Sequence, residues 1–191
     1  NGQNFLPSAL YALGRELVCE QVAGNMTDNT DRREYLVSRS DNLSAADRFR
    51  HKEGISPNEQ SLFFGQEAFN NYFDWPGEGY FVKSPKSYLG ASGLREESIC
   101  LFEDLVTAMM MHVKQRAEDQ CQQALTDTVI GRPVNFQGLN SDDSNAQAMN
   151  ILEISAQRAG FKSVEFLYEP IAAGLDFERQ LQQDKKVLVI D

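Results

Sequence analysis

A chain of 191 residues, 41% apolar and 10% aromatic, is long enough to bury roughly 70% of its extended surface without a metal or disulfide staple, and lies outside the disordered class. Eighteen basic against twenty-eight acidic side chains leave a formal charge of -10, which argues against the broad basic surface that a nucleic-acid backbone requires. No apolar run approaches the roughly twenty residues that span a bilayer, and no basic-then-apolar leader opens the chain, so a soluble, cytoplasmic protein is expected, with neither nucleic acid nor membrane as partner.

In chain order, PSALYALGRELVCEQV alternates and meets a turn at Gly14-Arg15, which predicts a β-hairpin whose first strand is limited by Pro7. Residues 24–60 carry seven acids and six bases with Gly24, Gly54 and Pro57 as punctuation, and read as an irregular excursion with short helices near Arg32–Val37 and Ser44–His51. In SLFFGQEAFNNYF an extended Leu62–Phe64 gives way at Gly65 to a short amphipathic helix, and WPGEG is a turn. FVKSPKSYLG reads as another irregular run. From Ser98 to about Ala124, Phe102, Val106, Met109, Val113, Ala117, Cys121 and Ala124 recur every three or four residues, predicting one long helix.

TDTVIGRPV is then a strand that Pro133 ends, followed by a helix capped by Ser141, carrying Asp142 and Asp143 in its first turn and stopping at Gly160. A strand at Val164–Leu167, a helix opened by Pro170 and a last strand at Lys186–Ile190 complete a β-α-β-α-β pattern, which favours α/β layering. An apolar VLVI strand delivering Asp191 at the chain's end, and an opening hairpin with no earlier strand to anchor it, give the sequence the look of a piece of a longer fold.

The cysteines carry no close-spaced metal pattern. Cys100 and Cys121 would stand about 31 Å apart on one helix, and the odd count fits a reducing compartment. His51 and His112 are far apart in sequence, and His112 and the Met109-Met110-Met111 run sit inside the long helix, where they read as core filling. No Walker loop, GxGxxG fingerprint or GxSxG elbow is present. What remains are charges near element ends: Lys86 in SPKSYLG, Glu169 at a strand-to-helix junction and Asp191 after the last strand. Ligand sites of open α/β sheets gather at the C-terminal strand edges, so Glu169 and Asp191 can hold magnesium-bound water there and Lys86 can meet a phosphate. Equally, Glu169 can cap its helix, Asp191 can be an exposed terminus and Lys86 a solvated loop charge.

LPSAL, LFFGQEA, PKSYLG, VIGRPVNF, the passage from AGF to YEPIAAGLDF, and KKVLVID together resemble, in order and approximate spacing, the nucleotide-binding domain of the seventy-kilodalton heat-shock chaperones, the DnaK type, and a divergent bacterial member in particular. The resemblance covers nearly all of the chain and about half of such a domain. It implies an actin-like, ribonuclease-H-like α/β fold, mostly its first lobe: an outer subdomain over about 1–125 and part of an inner one over about 126–191. It implies ATP or ADP with Mg2+ as cofactors, Lys86 as the phosphate-contacting catalytic lysine, Glu169 at the magnesium-water shell, Asp191 before the second phosphate loop, and Pro133 as a nucleotide-responsive switch. The first phosphate loop, the glycines expected after Asp191 and the adenosine-clasping second lobe are missing from this stretch, so tight binding or efficient hydrolysis by these residues alone is not expected.

Two features depart from the family pattern: the long 24–60 excursion, and the absence of the arginine that relays the proline switch, whose position falls near Met149, with Ala148 and Asn150 beside it. The implied activity is a chaperone ATPase with client or co-chaperone proteins as partners. The alternatives are a non-catalytic interaction scaffold that keeps the fold, or an actin-fold small-molecule kinase. A lobe face normally covered by a second lobe would also favour dimerisation.

Overall fold

The computed structural model describes residues 6–138 and 141–179, with 183 and 186 isolated beyond them. The predicted last strand at Lys186–Ile190 and Asp191 lie outside the described residues. The remainder is mixed α/β, with two sheets on either side of a long helix.

Strand β1 (Ala9–Ala12) is buried at every position and is the centre of an antiparallel sheet, between β2 (Leu62–Phe64) and β3 (Tyr80–Lys83). Ala12 pairs with Leu62 and Ala9 with Lys83. The expected hairpin is therefore not formed. After Gly14 the chain enters helix α1 (Leu17–Asn25), and the partners of β1 come from much later in the sequence. The pattern misleads because Leu17, Val18 and Val22 also suit one face of a helix, and because the Phe49 ring lies where a Cβ on Gly14 would project, so the chain turns there against a neighbouring helix.

The 24–60 excursion is more regular than its composition suggests. Helix α2 (Asn29–Ser38) begins at Asp28, whose side chain accepts from the backbone N–H groups of Thr30 and Asp31. Helix α3 (Ser40–Glu53) ends at Gly54 in the left-handed conformation, with Arg50, His51 and Lys52 in its last turn. Next come β2, helix α4 (Gln66–Asp74) and β3; the run read as irregular after Gly79 is in fact this strand followed by a 3-10 turn, Pro85–Tyr88. Its regularity was hidden because β3 is short and its pairing partner, β1, is distant in sequence.

Helix α5 (Glu96–Cys121) is the predicted long helix, and it divides two cores. Leu10, Ala12, Leu17, Val18, Val22 and Leu105 pack on one side, with Met109 and Met111. Leu89, Val106, Phe136, Ala148, Ile151 and Leu152 pack on the other, with Met110. The methionine run thus serves both cores, as its flexible, unbranched side chains allow. Each fully buried leucine contributes about 1.5–3 kcal/mol of apolar burial.

Strand β4 (Asp127–Arg132), helix α6 (Ser141–Arg158) and strand β5 (Ser163–Tyr168) form a parallel β-α-β unit, with Asp127 opposite Ser163 and Arg132 opposite Tyr168. Ser141 is the first helical residue rather than the cap; the cap position, 140, is outside the described residues. Helix α7 (Glu169–Glu178) starts directly from β5 with Pro170 in its first turn, where a proline lacking N–H is tolerated. Among the described residues no helix is long and apolar enough to cross a membrane.

Candidate functional site

Because β4 and β5 are parallel, both deliver their C-terminal ends to one edge of the sheet. Glu169 is the first residue of α7 at that edge. A carboxylate there also complements the partial positive charge of the helix N-terminus. Lys86 arrives from the other sheet. Ser84, which precedes Pro85, takes a left-handed conformation at φ 51°, an uncommon geometry for a residue with a side chain, and its N–H donates to the Ser8 carbonyl at 2.8 Å. The 3-10 turn then inserts Leu89 into the second core, and Gln147 of α6 donates to the Leu89 and Ala91 carbonyls at 2.7 and 3.1 Å. The lysine is thus mounted on a turn fixed at both ends.

The Lys86 ammonium forms an ion pair with Glu169 Oε1 and donates to the Gly131 carbonyl at 3.3 Å. Residues 83 apart in sequence meet at the strand edge. Both side chains are partly open to solvent, at 41% and 37%, and stand beside a cleft of about 470 Å³. Apolar groups of Val106, Met109, Met110 and Phe161 face the same cleft, and Ser8, Ser84 and Ser87 add polar groups. Chemically, this is a cation and a carboxylate at the border of a largely apolar cleft.

Pro133 follows the end of β4 at the same edge. Its carbonyl accepts from Arg132 Nε at 3.1 Å, and Arg132 also donates to the Val134 carbonyl while its guanidinium lies 4.9 Å from the centre of the Tyr168 ring. Arg132 therefore links the proline turn to the residue before Glu169. The sequence reading passed over it, although an arginine between a strand and a proline was the available signal. At the position where a relay arginine was sought, α6 carries Met149, packed against the second core, beside buried Ala148. Asp191 lies outside the described residues.

A second charged constellation was also missed. Arg39, between α2 and α3, donates from Nε to both Asp104 oxygens at 3.1 and 3.2 Å and from Nη2 to Glu103 at 2.6 Å. Arg158 of α6 donates to Glu103 at 2.8 Å, and Ser155 donates to the Glu103 carbonyl. Burial raises the Asp104 carboxyl above its ordinary range, with Arg39 pulling it back. Burial, with Asp104 close by, also pushes the Cys19 thiol up to about 12. With Arg39 only 4% exposed, this cluster is a buried clamp holding the excursion to α5 and α6. The clue was the adjacent Glu103-Asp104 pair on a helix whose neighbouring residues are apolar.

His112 stacks on Phe64, ring centroids 4.4 Å apart, and burial followed by the nearby Arg116 charge lowers its pKa. It is a core-edge histidine. Among the described residues no group of three or more His, Cys, Asp or Glu side chains is arranged to hold a metal ion, and the three cysteines are free. No protein-family model matches the chain.

Proposed function

We propose that this chain is part of a DnaK-like ATPase of actin-like, ribonuclease-H-like architecture, the whole protein hydrolysing ATP with magnesium and coupling this to protein partners. The observation that carries the reading is the meeting of Lys86 and Glu169 at the C-terminal edge of a parallel β-α-β unit, beside a cleft. The order of the sequence motifs supports the same assignment. Lys86 supplies a point charge that a phosphate oxygen can accept in place of the Glu169 carboxylate. Glu169, once released, can accept a hydrogen bond from a water on magnesium. With no ready-made carboxylate cage among the described residues, the ion fits only as one held through waters and phosphate oxygens, the usual manner of Mg2+. Magnesium would supply charge neutralisation on the transferring phosphate; the role that the resemblance implies for Asp191 lies outside the described residues.

Two observations favour a second reading, a non-catalytic scaffold: Lys86 is already satisfied by Glu169 and the Gly131 carbonyl, and Met149 stands where the resemblance would have a relay arginine. Calorimetry and steady-state turnover with Mg-ATP on the intact protein separate the two readings. For an ATPase, Lys86→Ala and Glu169→Gln each lower turnover by about a hundredfold or more while the fold persists. Absence of nucleotide binding by the folded protein, or turnover untouched by both changes, refutes the ATPase assignment.

A further inference from the structure

The two faces of β1 are used differently. Leu10 and Ala12 point into the core against α1 and α5, whereas Ala9 and Tyr11 point to the opposite face, which α4 covers. On that side the aromatics do not end at the core. Phe69 packs on Phe81 with ring centroids 5.3 Å apart, Tyr72 stacks on Phe81 at 4.5 Å, and Phe73 lies 5.6 Å from Tyr72 and 6.4 Å from Phe69. The outer members face solvent: Phe73 is 68% exposed and Trp75, at the end of α4, is 58% exposed. One or two exposed apolar residues need no explanation, but a connected aromatic set ending in an open Phe73, with an open Trp75 two residues further on, does.

The ridge is held in place before any partner arrives. The turn after α4 is closed by the Glu78 N–H donating to the Trp75 carbonyl at 3.2 Å, and Tyr11 Oη donates to the Glu78 carbonyl at 3.2 Å. Gly79 takes φ +68°, and a Cβ there would collide with the hydroxyl end of Tyr11 and with the Ala12 carbonyl. Ordering cost on binding is correspondingly low.

Charge selects the partner. Asp74 and Glu78, on either side of Trp75, are both exposed, and Glu67 is a third exposed acid on α4; the nearest lysine in sequence, Lys83, shares the face of Phe81 but stands opposite Ala9, at the end of β3 away from Tyr80 and the turn. Acids beside aromatic faces attract a cation twice, by Coulomb attraction and through the ring quadrupole, and arginine exploits both. The same acids repel nucleic-acid phosphates and anionic lipid headgroups.

We infer that the ridge formed by Tyr72, Phe73 and Trp75, with Asp74 and Glu78, is a docking surface for a basic, arginine-bearing segment of a partner protein. This surface is independent of the Lys86 cleft and does not rest on the ATPase assignment. Trp75 is the chain's single tryptophan, so its fluorescence reports on the ridge alone.

The test titrates the full chain with a short synthetic peptide alternating arginine and proline. The expected result is a saturable change in Trp75 emission that weakens with salt. Phe73→Ser, at an exposed position that leaves the fold intact by circular dichroism, weakens binding about tenfold or more. Asp74→Asn with Glu78→Gln weakens it severalfold and flattens the salt dependence, whereas Glu153→Gln, an exposed acid on α6, leaves it unchanged. The inference is overturned by an absent response, by equal binding of a control peptide alternating glutamate and proline, or by indifference to both ridge variants. It is also overturned if phosphatidylcholine vesicles shift the emission in the peptide's place, or if protein concentration alone does so, which would identify a second copy as the occupant.

Discussion

Replacing Arg39 by alanine removes one cation from a site holding two carboxylates. Asp104 and Glu103 have side chains 3% and 11% exposed, and Arg158, 2.8 Å from Glu103 but 3.9 Å from Asp104, cannot replace the two Nε contacts that Arg39 makes with Asp104. Stranding a buried carboxylate in this way costs about 3–5 kcal/mol. That is a large part of the roughly 5–15 kcal/mol that holds a domain folded, and corresponds to a melting shift of about 10 °C or more. The double change Arg39→Met with Asp104→Leu removes the pair together, leaves Arg158 on Glu103, and is expected to stay within about 2 kcal/mol of the parent.

The sign of the pH dependence follows from the raised Asp104 pKa. Between the ordinary carboxyl value of 3.8 and the folded value, the native state binds more protons than the unfolded one, so stability from this group falls as pH rises. Without Arg39 the largest part of the opposing pull is gone, leaving only Tyr35 and Arg158, and the folded value climbs further. The Arg39→Ala penalty is therefore larger at about pH 7 than at about pH 4, where Asp104 moves toward its neutral form. Urea denaturation followed by circular dichroism at both pH values measures this. A loss below about 1 kcal/mol, or one equal at both pH values, would show that the cluster is hydrated and that the reasoning fails.

The thiols should separate by reactivity. Iodoacetamide at mildly alkaline pH labels exposed Cys121 quickly, while Cys19, buried and with its pKa pushed up to about 12, reacts only on unfolding; prompt labelling of native Cys19 in a peptide map would contradict its placement. Gln122 ends α5 with φ 54°, a left-handed position that glycine fills without strain. Gln122→Gly should therefore raise stability by about 0.5–1 kcal/mol in a denaturant titration, and a decrease would count against that cap geometry.

Elements whose signal is local were legible before the structure. The stripe from Phe102 through Cys121 fixes α5, Pro133 ends β4, and Gly160 and Pro170 bound the α6 to α7 passage. What failed depended on distant pairing. Strand β1 has neighbours from residues 62–64 and 80–83, so the Gly14-Arg15 signal could not reveal that its continuation is a helix. The same limit hid β3. At the candidate site, Lys86 and Glu169 could each be picked from its position beside an element end, but their ion pair depends on the two sheets approaching across α5. The Arg39 clamp was invisible for a related reason: in sequence it is a charge among charges, and only the fold takes it out of water.

The pairing of Ala12 with Leu62 spans everything from residue 13 to residue 61, where adjacent antiparallel strands commonly need a two-residue turn. Closing so long a connection costs only about 3 kcal/mol more chain entropy than the short turn, and each further doubling adds about 0.6 kcal/mol. Length at this point of the fold is thus nearly free once helices in the connection are tied down, as Arg39 ties them to Asp104 and Arg50 to Glu20. The sheet sees only two chain ends held side by side. This junction can therefore gain or lose whole helical turns with no change in the register of β1 and β2, while an insertion of a single residue within β1 would reverse which of its side chains face each core.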